Sequence, residues 1–498
     1  MTPNTTSKDS RTSAAAERAL AELVAVYPVA DQLGQRFAEA GHELYLVGGT
    51  VRDTLLDRPV EDLDFATPAR PEQTERVLAG WAEQIWLTGA RFGTVSARKG
   101  GFKLEVTTFR TDAYHTGSRH PKVTYGQDIE ADLSRRDFTV NAMAVRVPEH
   151  RFVDPFGGLR DLRDRVLRTP VSPEISFGDD PLRMVRLARF AAVLEAEADE
   201  DTQAAAAAMA NRLGEISRER IRDELSRLIT APGQARGMDL LCATGLADQF
   251  IPEIPALRME HDPLHHHKDV YTHTLAVVDR CPPHDLVLRL AALLHDIGKP
   301  ATREFHPGGK VSFHHHEVVG ARMARARLTD LRYPGEVVEQ ASELVFLHLR
   351  FHGYADGGWT DSAVRRYVRD AGSREQLQRL NLLVRADVTT RNAAKARRLA
   401  RGMDDLEARI ARLAEQEELD RIRPALDGDQ IMDYLALEPG PLVGKARNML
   451  LEARLDQGPM SPDQAYVLLA QWAAERGIRP RSAAGLEEDG SFARREEH

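Results

Sequence analysis

The N-terminal part of the chain combines a helical and a strand-like pattern of apolar positions. From Ala19 to Ala40 apolar side chains recur at the spacing of a helix, and the apolar run Leu44–Val47 predicts a short buried strand. Gly48 and Gly49 follow that strand directly, and Thr50 is suited to cap a new helix. The pattern therefore predicts a strand, a glycine turn and a helix in immediate succession.

The following segments favour further strands. Pro71–Leu78 carries the proline and glutamate that begin many helices, and it precedes a group of strand-like runs. These runs are Gln84–Leu87, Phe92–Ala97 and Leu104–Phe109. One β/α unit followed by a strand meander predicts a small mixed sheet with helices on one side. Beyond residue 156 the apolar spacing is helical, which gives an α+β fold class.

Two aspartates mark the strand that follows this first helix. In Glu61–Phe65 polar and apolar residues alternate, so Asp62 and Asp64 project from the same face. Adjacent carboxylates repel each other and need a cation between them. Oxygen ligands suit Mg²⁺, and paired Mg²⁺ ions support in-line attack at phosphorus. Taken alone, such an acidic pair is usually a solvated strand face.

The glycine turn complements the acidic pair. Gly48 and Gly49 allow backbone N–H groups to approach an anion closely, and the N-terminus of the helix adds a partial positive charge. Arg52 places a cation one turn into that helix. These residues predict a phosphate cradle. A glycine pair alone would indicate only a turn, but its spacing from the aspartates favours a functional site.

The segment from residue 44 to residue 66, LYLVGGTVRDTLLDRPVEDLDFA, resembles motif A of the nucleotidyltransferase superfamily shaped like DNA polymerase β. It is most similar to the class II branch, which contains the bacterial tRNA CCA-adding enzymes and their poly(A) polymerase relatives. The resemblance implies a polymerase-β-like head in which Asp62 and Asp64 hold Mg²⁺ during transfer of a nucleotide.

The run RRDFTVNAMA, which begins at Arg135, matches motif B of class II almost letter for letter. Arg136, Asp137 and Asn141 are polar residues in an otherwise apolar segment, so they need partners that a nucleotide can supply. In the family this segment contacts the sugar and the triphosphate. The alternative is a helix that carries its own salt bridges.

The run Asp179–Phe190 is similar to motif D of the family, EDxLRxxRxxRF. Asp180 and Arg183 are three residues apart, so they share a helix face, where an acceptor beside a donor is complementary to an edge of cytosine or adenine. An ordinary surface ion pair is the alternative. Ile216–Leu225 resembles motif E, a neck helix expected to support the site. The full set predicted to bind nucleotide is Gly48, Gly49, Arg52, Arg110, Arg136, Asp137, Asn141, Asp180, Arg183, Arg186 and Arg189.

Two features of the head stay open in the sequence. Glu105 lies on the last predicted strand and is either a third acidic ligand or an exposed strand residue. Residues 112–128 are polar, with glycine, proline and several cations, which is typical of a mobile loop. Such a loop could close over a nucleotide or an RNA 3′ end, or it could be a plain surface loop.

A second group of candidate ligands lies in the C-terminal half. His295 and Asp296 end an apolar helix and offer a metal one nitrogen and one oxygen ligand. The order H…HD…H…H…D resembles the HD phosphohydrolase superfamily, which is all-helical. The resemblance implies a site for a transition metal or Mg²⁺ formed by His273, His295, Asp296, His315, His348 and Asp387. The run His314–His316 does not show which of its histidines is the ligand. The HD domain could be an active phosphohydrolase or could serve as a scaffold for tRNA.

Composition narrows the function classes. The 498 residues have the makeup of a globular protein, with no apolar run near the ~20 residues of a membrane span. A net charge of −9 argues against nucleic-acid binding by bulk charge but permits a local basic path. Arg365, Arg366 and Arg369 favour either such a path along tRNA or a solvated helix face. Two cysteines, Cys242 and Cys281, are too few for a disulfide framework and favour a reducing cytoplasm.

The predicted domain organisation and function follow from these features. The segments are a disordered tail at 1–17, a nucleotidyltransferase head at 18–155, a helical neck at 156–230, an HD domain at 231–400, a helical body at 401–485 and a second tail at 486–498. The resemblance implies untemplated, metal-dependent addition of CMP, CMP and AMP to the 3′ end of tRNA from CTP and ATP. CC-only or A-only addition, a poly(A) polymerase, and an HD phosphohydrolase with a non-catalytic RNA-binding head are the alternatives.

Overall fold

A computed structural model of the chain describes residues 27–60, 62–110, 126–259, 269–307, 311–353, 359–388, 393–416 and 422–481. These residues form two compact units, one that ends at Pro255 and one that begins at Ala256. The tails predicted at 1–17 and 486–498 lie outside the described residues, as does most of the loop predicted at 112–128. Among the described helices, none combines the length and the apolar character needed to cross a membrane.

The first unit contains the predicted mixed sheet, which has seven strands in the order β3-β4-β5-β2-β1-β6-β7. The strands are β1 (Leu44–Val47), β2 (Asp62–Thr67), β3 (Gln84–Trp86), β4 (Thr94–Lys99), β5 (Phe102–Thr108), β6 (Ala144–Val147) and β7 (Arg151–Val153). Neighbouring strands are antiparallel except for β2 and β5, which are parallel. The sheet confirms the α+β fold class predicted from the sequence.

One face of this sheet is covered by the helices α1 (Pro28–Glu39), α2 (Gly49–Leu55) and α3 (Pro71–Leu78). Leu33 and Phe37 of α1 pack in one cluster with Leu63 and Phe65 of β2 and with Leu104 of β5. Burial of such a side chain contributes roughly 1.5–3 kcal/mol, so the cluster fixes the register of β2. Because side chains alternate along a strand, the residues between these apolar positions face the other side.

That second face is covered over β1 and β6 by a separate cluster. Tyr45 and Val47 pack there with Phe109 and with Ile129 and Leu133 of α4 (Ile129–Ser134). Over β2, β5, β4 and β3 the same face carries mainly polar side chains, with Ala66 of β2 and Trp86 of β3 as apolar exceptions. The sheet is therefore apolar on both faces at one end and polar on one face at the other.

The rest of the first unit is helical apart from a short parallel pair, β8 (Val166–Leu167) and β9 (Glu197–Ala198). Its helices are α5 (Gly158–Asp164), α6 (Pro173–Asp179), α7 (Leu182–Leu194), α8 (Glu200–Ala208), α9 (Arg218–Ile229) and α10 (Gln234–Ala243). Nine residues of α7 are buried, including Leu187 and Phe190, so this helix is the centre of the helical layer.

The second unit is helical, which confirms this part of the predicted fold class, and it adds one short antiparallel hairpin. Its elements are α11 (Val270–Arg280), α12 (Leu286–Leu294), β10 (Arg303–Phe305), β11 (Val311–Phe313), α13 (His316–Asp330), α14 (Gly335–Leu347), α15 (Asp361–Ala371), α16 (Arg374–Asp387), α17 (Ala393–Gln416), α18 (Gly428–Leu435), α19 (Pro441–Gln457) and α20 (Pro462–Ala474). The last three helices share a core of their own, which includes Leu450 and Leu469.

The basic residues of α15 have partners inside the second unit. Arg366 pairs with Glu452 at 3.0 Å and Arg369 with the same carboxylate group at 3.1 Å. Arg365 is buried and donates to the backbone oxygen of Leu455 at 3.1 Å. These contacts attach α15 to α19, which favours a structural role over the path along tRNA that the sequence left open.

Candidate nucleotide site and candidate metal centre

Three carboxylates lie together on the polar face of the sheet. Asp62 and Asp64 alternate with the buried Leu63 on β2, and Glu105 of β5 is the register partner of Asp64. Burial, followed by repulsion from Glu105, raises the pKa of Asp64 to about 6. Lys103 Nζ lies 2.5 Å from a Glu105 oxygen. A group of like charges with oxygen-only donors fits a divalent cation such as Mg²⁺.

Thr50 connects these carboxylates to the glycine turn. Its hydroxyl accepts from the backbone N–H of Asp64 at 3.0 Å and donates to the backbone oxygen of Asp62 at 3.3 Å. Gly48, just before α2, has φ +67°, and an added Cβ would lie 2.5 Å from Arg136 Nη1. The positive φ therefore favours glycine at position 48, while the nearby guanidinium of Arg136 is the flexible end of a side chain that can shift.

Arg52 lies in the wall of the same cleft. Its Nε and Nη2 donate to the two carboxylate oxygens of Asp53 at 2.9 and 2.6 Å, and its Nη1 donates to Asn141 Oδ1 at 2.6 Å. The guanidinium also lies 5.2 Å from the centre of the Phe190 ring. The structure thus brings Arg52 and Asn141 together, as their common assignment to a nucleotide site predicts, and fixes their orientation.

Asp137 is a buried anion with several donors around it. Asn141 Nδ2, the backbone N–H of Phe138 and Arg186 Nε all donate to its oxygens at 2.9 Å. Burial opposes the charge of Asp137, but Arg186 and these hydrogen bonds outweigh burial and lower its pKa. Asp137 therefore stays ionised and holds Arg186 at the cleft. Its contact with a sugar stays a prediction.

Asp180 and Arg183 have partners other than each other. Asp180 Oδ2 pairs with Arg220 Nη2 at 2.8 Å, and its Oδ1 accepts from the backbone N–H of Leu182. Arg183 donates to Ser176 Oγ at 2.9 Å and to the backbone oxygen of Arg135 at 2.5 Å. Arg220 was missed in the prediction of site residues, although it lies in the motif E segment whose supporting role was predicted.

Glu224 of α9 positions the last two arginines of the predicted set. It is buried, and its carboxylate lies 2.6 Å from Arg189 Nε and 3.5 Å from Arg186 Nη1. Burial lowers the pKa of Arg189 to about 10, so the guanidinium stays charged at neutral pH. Arg189 also stacks on the Phe190 ring at 4.0 Å. The neck helix thus orients charges that face the cleft.

These residues surround a cleft of about 470 Å³. Its basic lining consists of Arg52, Arg135, Arg136, Arg183, Arg186, Arg189, Arg220 and Arg227, and its acidic lining of Asp64, Asp137 and Asp180. The excess of guanidinium groups suits a polyanion such as a triphosphate. Arg110 is not part of this lining, because its guanidinium donates to the backbone oxygen of Phe92.

The second unit brings four histidines and two aspartates together at the ends of helices. His273 Nε2 lies 3.0 Å from Asp387 Oδ1, and His295 Nε2 lies 3.2 Å from Asp296 Oδ2. His316 and His348 complete the group. Ligand atoms of His273, His295 and Asp296 lie within 4.8 Å of one another, as do those of Asp296, His316 and His348. Nitrogen and oxygen donors in this number fit a transition metal or Mg²⁺.

Three of these imidazoles are oriented by the main chain in the same way. The Nδ1 of His295, His316 and His348 lies 2.8, 2.8 and 2.6 Å from the backbone oxygen of the residue three positions earlier. A hydrogen bond there directs Nε2 towards the centre, which is the arrangement that metal-binding histidines adopt. The Nε2 atoms of His316 and His348 are buried without a hydrogen-bond partner. A metal would satisfy them.

The charges of this centre also fit a cation. Burial and the neighbouring His295 lower the pKa of His348 to about 3, so its imidazole is neutral. Burial opposes protonation of His295 as well, but Asp296 and Asp387 raise its pKa to about 10. Two buried aspartates thus attract positive charge, while His348 offers a free electron pair.

The predicted ligand His315 lies outside the centre. Its side chain is 82% exposed, whereas His316 is buried and its Nε2 lies 3.4 Å from Asp296 Oδ1. His315 has φ +60° immediately before α13, and His316 is the first residue of that helix. The assignment of His315 is therefore corrected to His316.

Comparison with family models divides the chain in the same order as the structure. Residues 44–168 match the poly A polymerase head domain. Residues 197–257 match the probable RNA and SrmB-binding site of polymerase A, and residues 264–419 match the HD domain. The second unit therefore carries the HD match, and the first unit carries the other two.

Relatives with established names resemble either the whole chain or part of it. An A-adding tRNA nucleotidyltransferase of Deinococcus radiodurans is 36% identical over 442 residues, which cover 86% of this chain and 95% of that enzyme. A CCA-adding enzyme of Streptococcus gordonii is 38% identical over 231 residues, which cover 46% of this chain and 56% of that enzyme. The solved CCA-adding enzyme of Bacillus stearothermophilus in complex with CTP superposes with a TM-score of 0.67 at 26% identity, covering 90% of this chain and 97% of that one.

Proposed function

Because this chain belongs to the family of bacterial tRNA nucleotidyltransferases that includes the CCA-adding and A-adding enzymes, we propose that it adds CMP, CMP and AMP in turn to the 3′ end of tRNA. CTP and ATP would be the nucleotide donors, and pyrophosphate would be released. The observation that carries this proposal is the position of Asp62, Asp64 and Glu105 beside an arginine-lined cleft in the first unit.

The family is metal-dependent, and we propose Mg²⁺ as the cation, bound by Asp62 and Asp64. The oxygen-only donors and the mutual repulsion of the carboxylates support this choice. When bound, Mg²⁺ would help to deprotonate the RNA 3′-hydroxyl and would stabilise the pyrophosphate leaving group. Glu105 is close enough to Asp64 to act as a third ligand, and the hydroxyl of Thr50 keeps the aspartate-bearing strand next to the glycine turn.

The remaining residues of the chain would bind and orient the nucleotide. Gly48 and Gly49 would present backbone N–H groups to the triphosphate. Arg136, whose guanidinium lies beside Gly48, would pair with a phosphate. Asp180 would accept a hydrogen bond from the exocyclic amino group of cytosine or adenine, which uracil lacks. Its pairing with Arg220 fixes the direction of the carboxylate.

A second candidate is addition of the terminal AMP alone. It is favoured by the Deinococcus relative, which matches nearly the whole chain and is named for A addition. Both candidates would use the same carboxylates and the same cleft. They differ in whether CTP is used as a substrate, so a direct assay separates them. Membership of this family does not favour a poly(A) polymerase or a non-catalytic head.

The test is extension of defined tRNA transcripts with Mg²⁺ and the purified full chain. A transcript that lacks the last three nucleotides should gain two with CTP and three with CTP and ATP together. A transcript that ends in CC should gain one with ATP. Extension of the second transcript alone would establish A addition, a long ladder with ATP would indicate a poly(A) polymerase, and no extension would overturn the proposal.

For the second unit, we propose metal-dependent hydrolysis of a phosphate ester at the HD centre. The buried, unpartnered Nε2 atoms of His316 and His348 support metal binding, and Lys299 Nζ, 2.6 Å from Asp296 Oδ2, adds a cation beside it. The test is hydrolysis of 2′,3′-cyclic nucleotides and of phosphate monoesters with Mn²⁺, Ni²⁺ or Mg²⁺. Metal binding without hydrolysis would leave the centre a structural one.

A further inference from the structure

A row of basic side chains extends from the carboxylates across the polar face of the sheet. Lys103 of β5 is the register partner of Asp62, and Arg98 of β4 is the register partner of Lys103. Residues paired in this way point to the same face. Gln84 of β3 pairs with Arg98, so Trp86, two residues further along β3, also faces this side.

The row borders a depression that is separate from the arginine-lined cleft. The depression has a volume of about 590 Å³, and Asp62, Trp86, Arg98 and Lys103 are among the residues that line it. Trp86 is 41% exposed, and the side chain of Lys103 is 48% exposed. Asp64 lines the arginine-rich cleft, and Asp62 lines the depression. The two carboxylates thus lie at the boundary between two openings.

The rim of the depression is a turn that leaves space above it. Gly100 and Gly101 connect β4 to β5 with φ of +58° and +86°, and a Cβ at either position would meet no atom within 4 Å. The backbone N–H of Gly100 donates to Glu83 Oε1 at 3.0 Å, which holds the turn in place. A strand of another molecule could therefore pass over the turn without a clash.

We propose that this surface, formed by Trp86, Arg98 and Lys103, binds the last nucleotides of the acceptor RNA, and the proposal rests on the proposed nucleotidyl transfer. In-line displacement requires the attacking hydroxyl and the leaving pyrophosphate to lie on opposite sides of the α-phosphorus. The triphosphate occupies the arginine-rich cleft on the Asp64 side. The RNA 3′-hydroxyl must then arrive from the Asp62 side, where the depression begins.

The chemistry of the surface suits a single RNA strand. Guanidinium and ammonium groups bind phosphates, and an exposed indole ring stacks on any base. From Asp62 on β2 to Trp86 on β3 the surface crosses three strand spacings, or about 14 Å, which is room for a few nucleotides. The whole chain has a net charge of −9, so its overall charge repels a polyanion. Contact with RNA must therefore depend on local basic residues such as those beside the carboxylates.

Binding without chemistry tests this surface. We would measure the affinity of the full-length protein for a short RNA hairpin with a single-stranded CC 3′ end by fluorescence anisotropy, without nucleotide. Trp86→Ala should weaken binding by about tenfold, and Trp86→Phe should restore it. Arg98→Ala should lower the slope of log Kd against log salt concentration by about 0.7, the value for one phosphate of a single strand.

Matched controls come from exposed residues on other surfaces. Arg76 lies on α3, which covers the opposite face of the sheet, and Phe305 is an aromatic residue of the second unit that is 69% exposed. Arg76→Ala and Phe305→Ala should leave the affinity and the salt slope unchanged. In extension assays of an RNA that ends in CC, Trp86→Ala should raise KM for RNA while KM for ATP stays the same.

The outcomes separate this inference from the proposed function. If the wild-type protein extends RNA and Trp86→Ala and Arg98→Ala bind the hairpin as the controls do, the acceptor surface is wrong and the nucleotidyl transfer stands. A rise in KM for ATP instead of KM for RNA would also overturn the proposed acceptor surface. If the wild-type protein extends no RNA, the proposed function is overturned.

Discussion

The two candidate sites use carboxylates and basic nitrogens in opposite ways. In the first unit Asp62 is exposed, and the arginines of the cleft are oriented by ion pairs with carboxylates such as Asp137 and Glu224. In the second unit His295 and Asp296 are at most 1% exposed, and backbone oxygens orient the imidazoles. The first site is suited to admit a large anion with its cation, and the second to retain a metal.

The largest expected effect tests whether the two sites are independent. Asp62→Ala with Asp64→Ala should lower the rate of nucleotide incorporation on the order of a thousandfold or more, because cation binding contributes several kcal/mol to the transition state. The metal content of the second unit, measured by mass spectrometry, should not change. Asp164→Ala, an exposed aspartate of α5, is the matched control. Incorporation by the double variant would contradict the proposed role of the aspartates.

The next effect tests the corrected ligand assignment. His316→Ala should weaken metal binding at least about 100-fold, since it removes a proposed direct ligand, whereas His315→Ala should retain the metal. The two residues are neighbours in sequence, so each is a control for the other. Metal affinity measured by competition with a chelator gives the result. Extension of tRNA should stay normal in both variants, and equal loss of metal in the two would contradict the geometry.

A smaller effect concerns the choice of nucleotide in the arginine-lined cleft of the first unit. Asp180→Ala should reduce the ratio of kcat/KM for CTP to that for UTP by about 30-fold, because one hydrogen bond to a charged acceptor is lost. Asp179→Ala removes the adjacent carboxylate and should change the ratio little. Arg220→Ala should have an intermediate effect, since it leaves Asp180 in place without its partner. An unchanged ratio in Asp180→Ala would assign base selection to other residues.

The smallest effect is a change in pH dependence. The carboxylate of Asp64 is ionised above its pKa of about 6, so incorporation at limiting Mg²⁺ should fall as the pH decreases through that value. Glu105→Gln removes a negative neighbour, so the pKa of Asp64 should fall and the acid limb should move to lower pH. We expect a difference of about threefold at pH 5.5, relative to the maximum of each variant. Glu72 lies on α3, which covers the opposite face of the sheet, so Glu72→Gln should leave the acid limb of the pH profile unchanged.

Local patterns predicted the parts of the fold that depend on neighbouring residues. The succession of Leu44–Val47, the glycine turn and the helix with Arg52 follows directly from the apolar spacing and the turn chemistry. The alternation around Asp62 and Asp64 predicted their common face for the same reason. The boundaries of the strands were predicted less accurately. Phe92, for example, was predicted in a strand but belongs to the short 3₁₀ helix Ala90–Phe92 before β4.

Contacts between distant segments could not be predicted in this way. The position of Glu105 beside Asp64 depends on the parallel register of β2 and β5, which no single strand specifies. The pairing of Asp180 with Arg220 joins residues 40 positions apart, whereas helix spacing alone suggested Arg183. His316 is buried beside Asp296 whereas His315 is exposed, and a run of three histidines does not reveal that difference. Sequence therefore supplied the chemical groups, and packing decided which of them meet.

The orientation of the three imidazoles by backbone oxygens has an evolutionary consequence. Every residue type supplies a carbonyl, so substitution of Ala292, Phe313 or Val345 by another residue that keeps the local helix or turn leaves the acceptor in place. Substitutions at these three neighbouring positions should therefore leave the orientation of the imidazoles unchanged. The guanidinium groups of Arg186 and Arg189 lack this protection, because a single mutation at Asp137 or Glu224 removes one of their anchors. A single substitution near the cleft can therefore release one of these guanidinium groups.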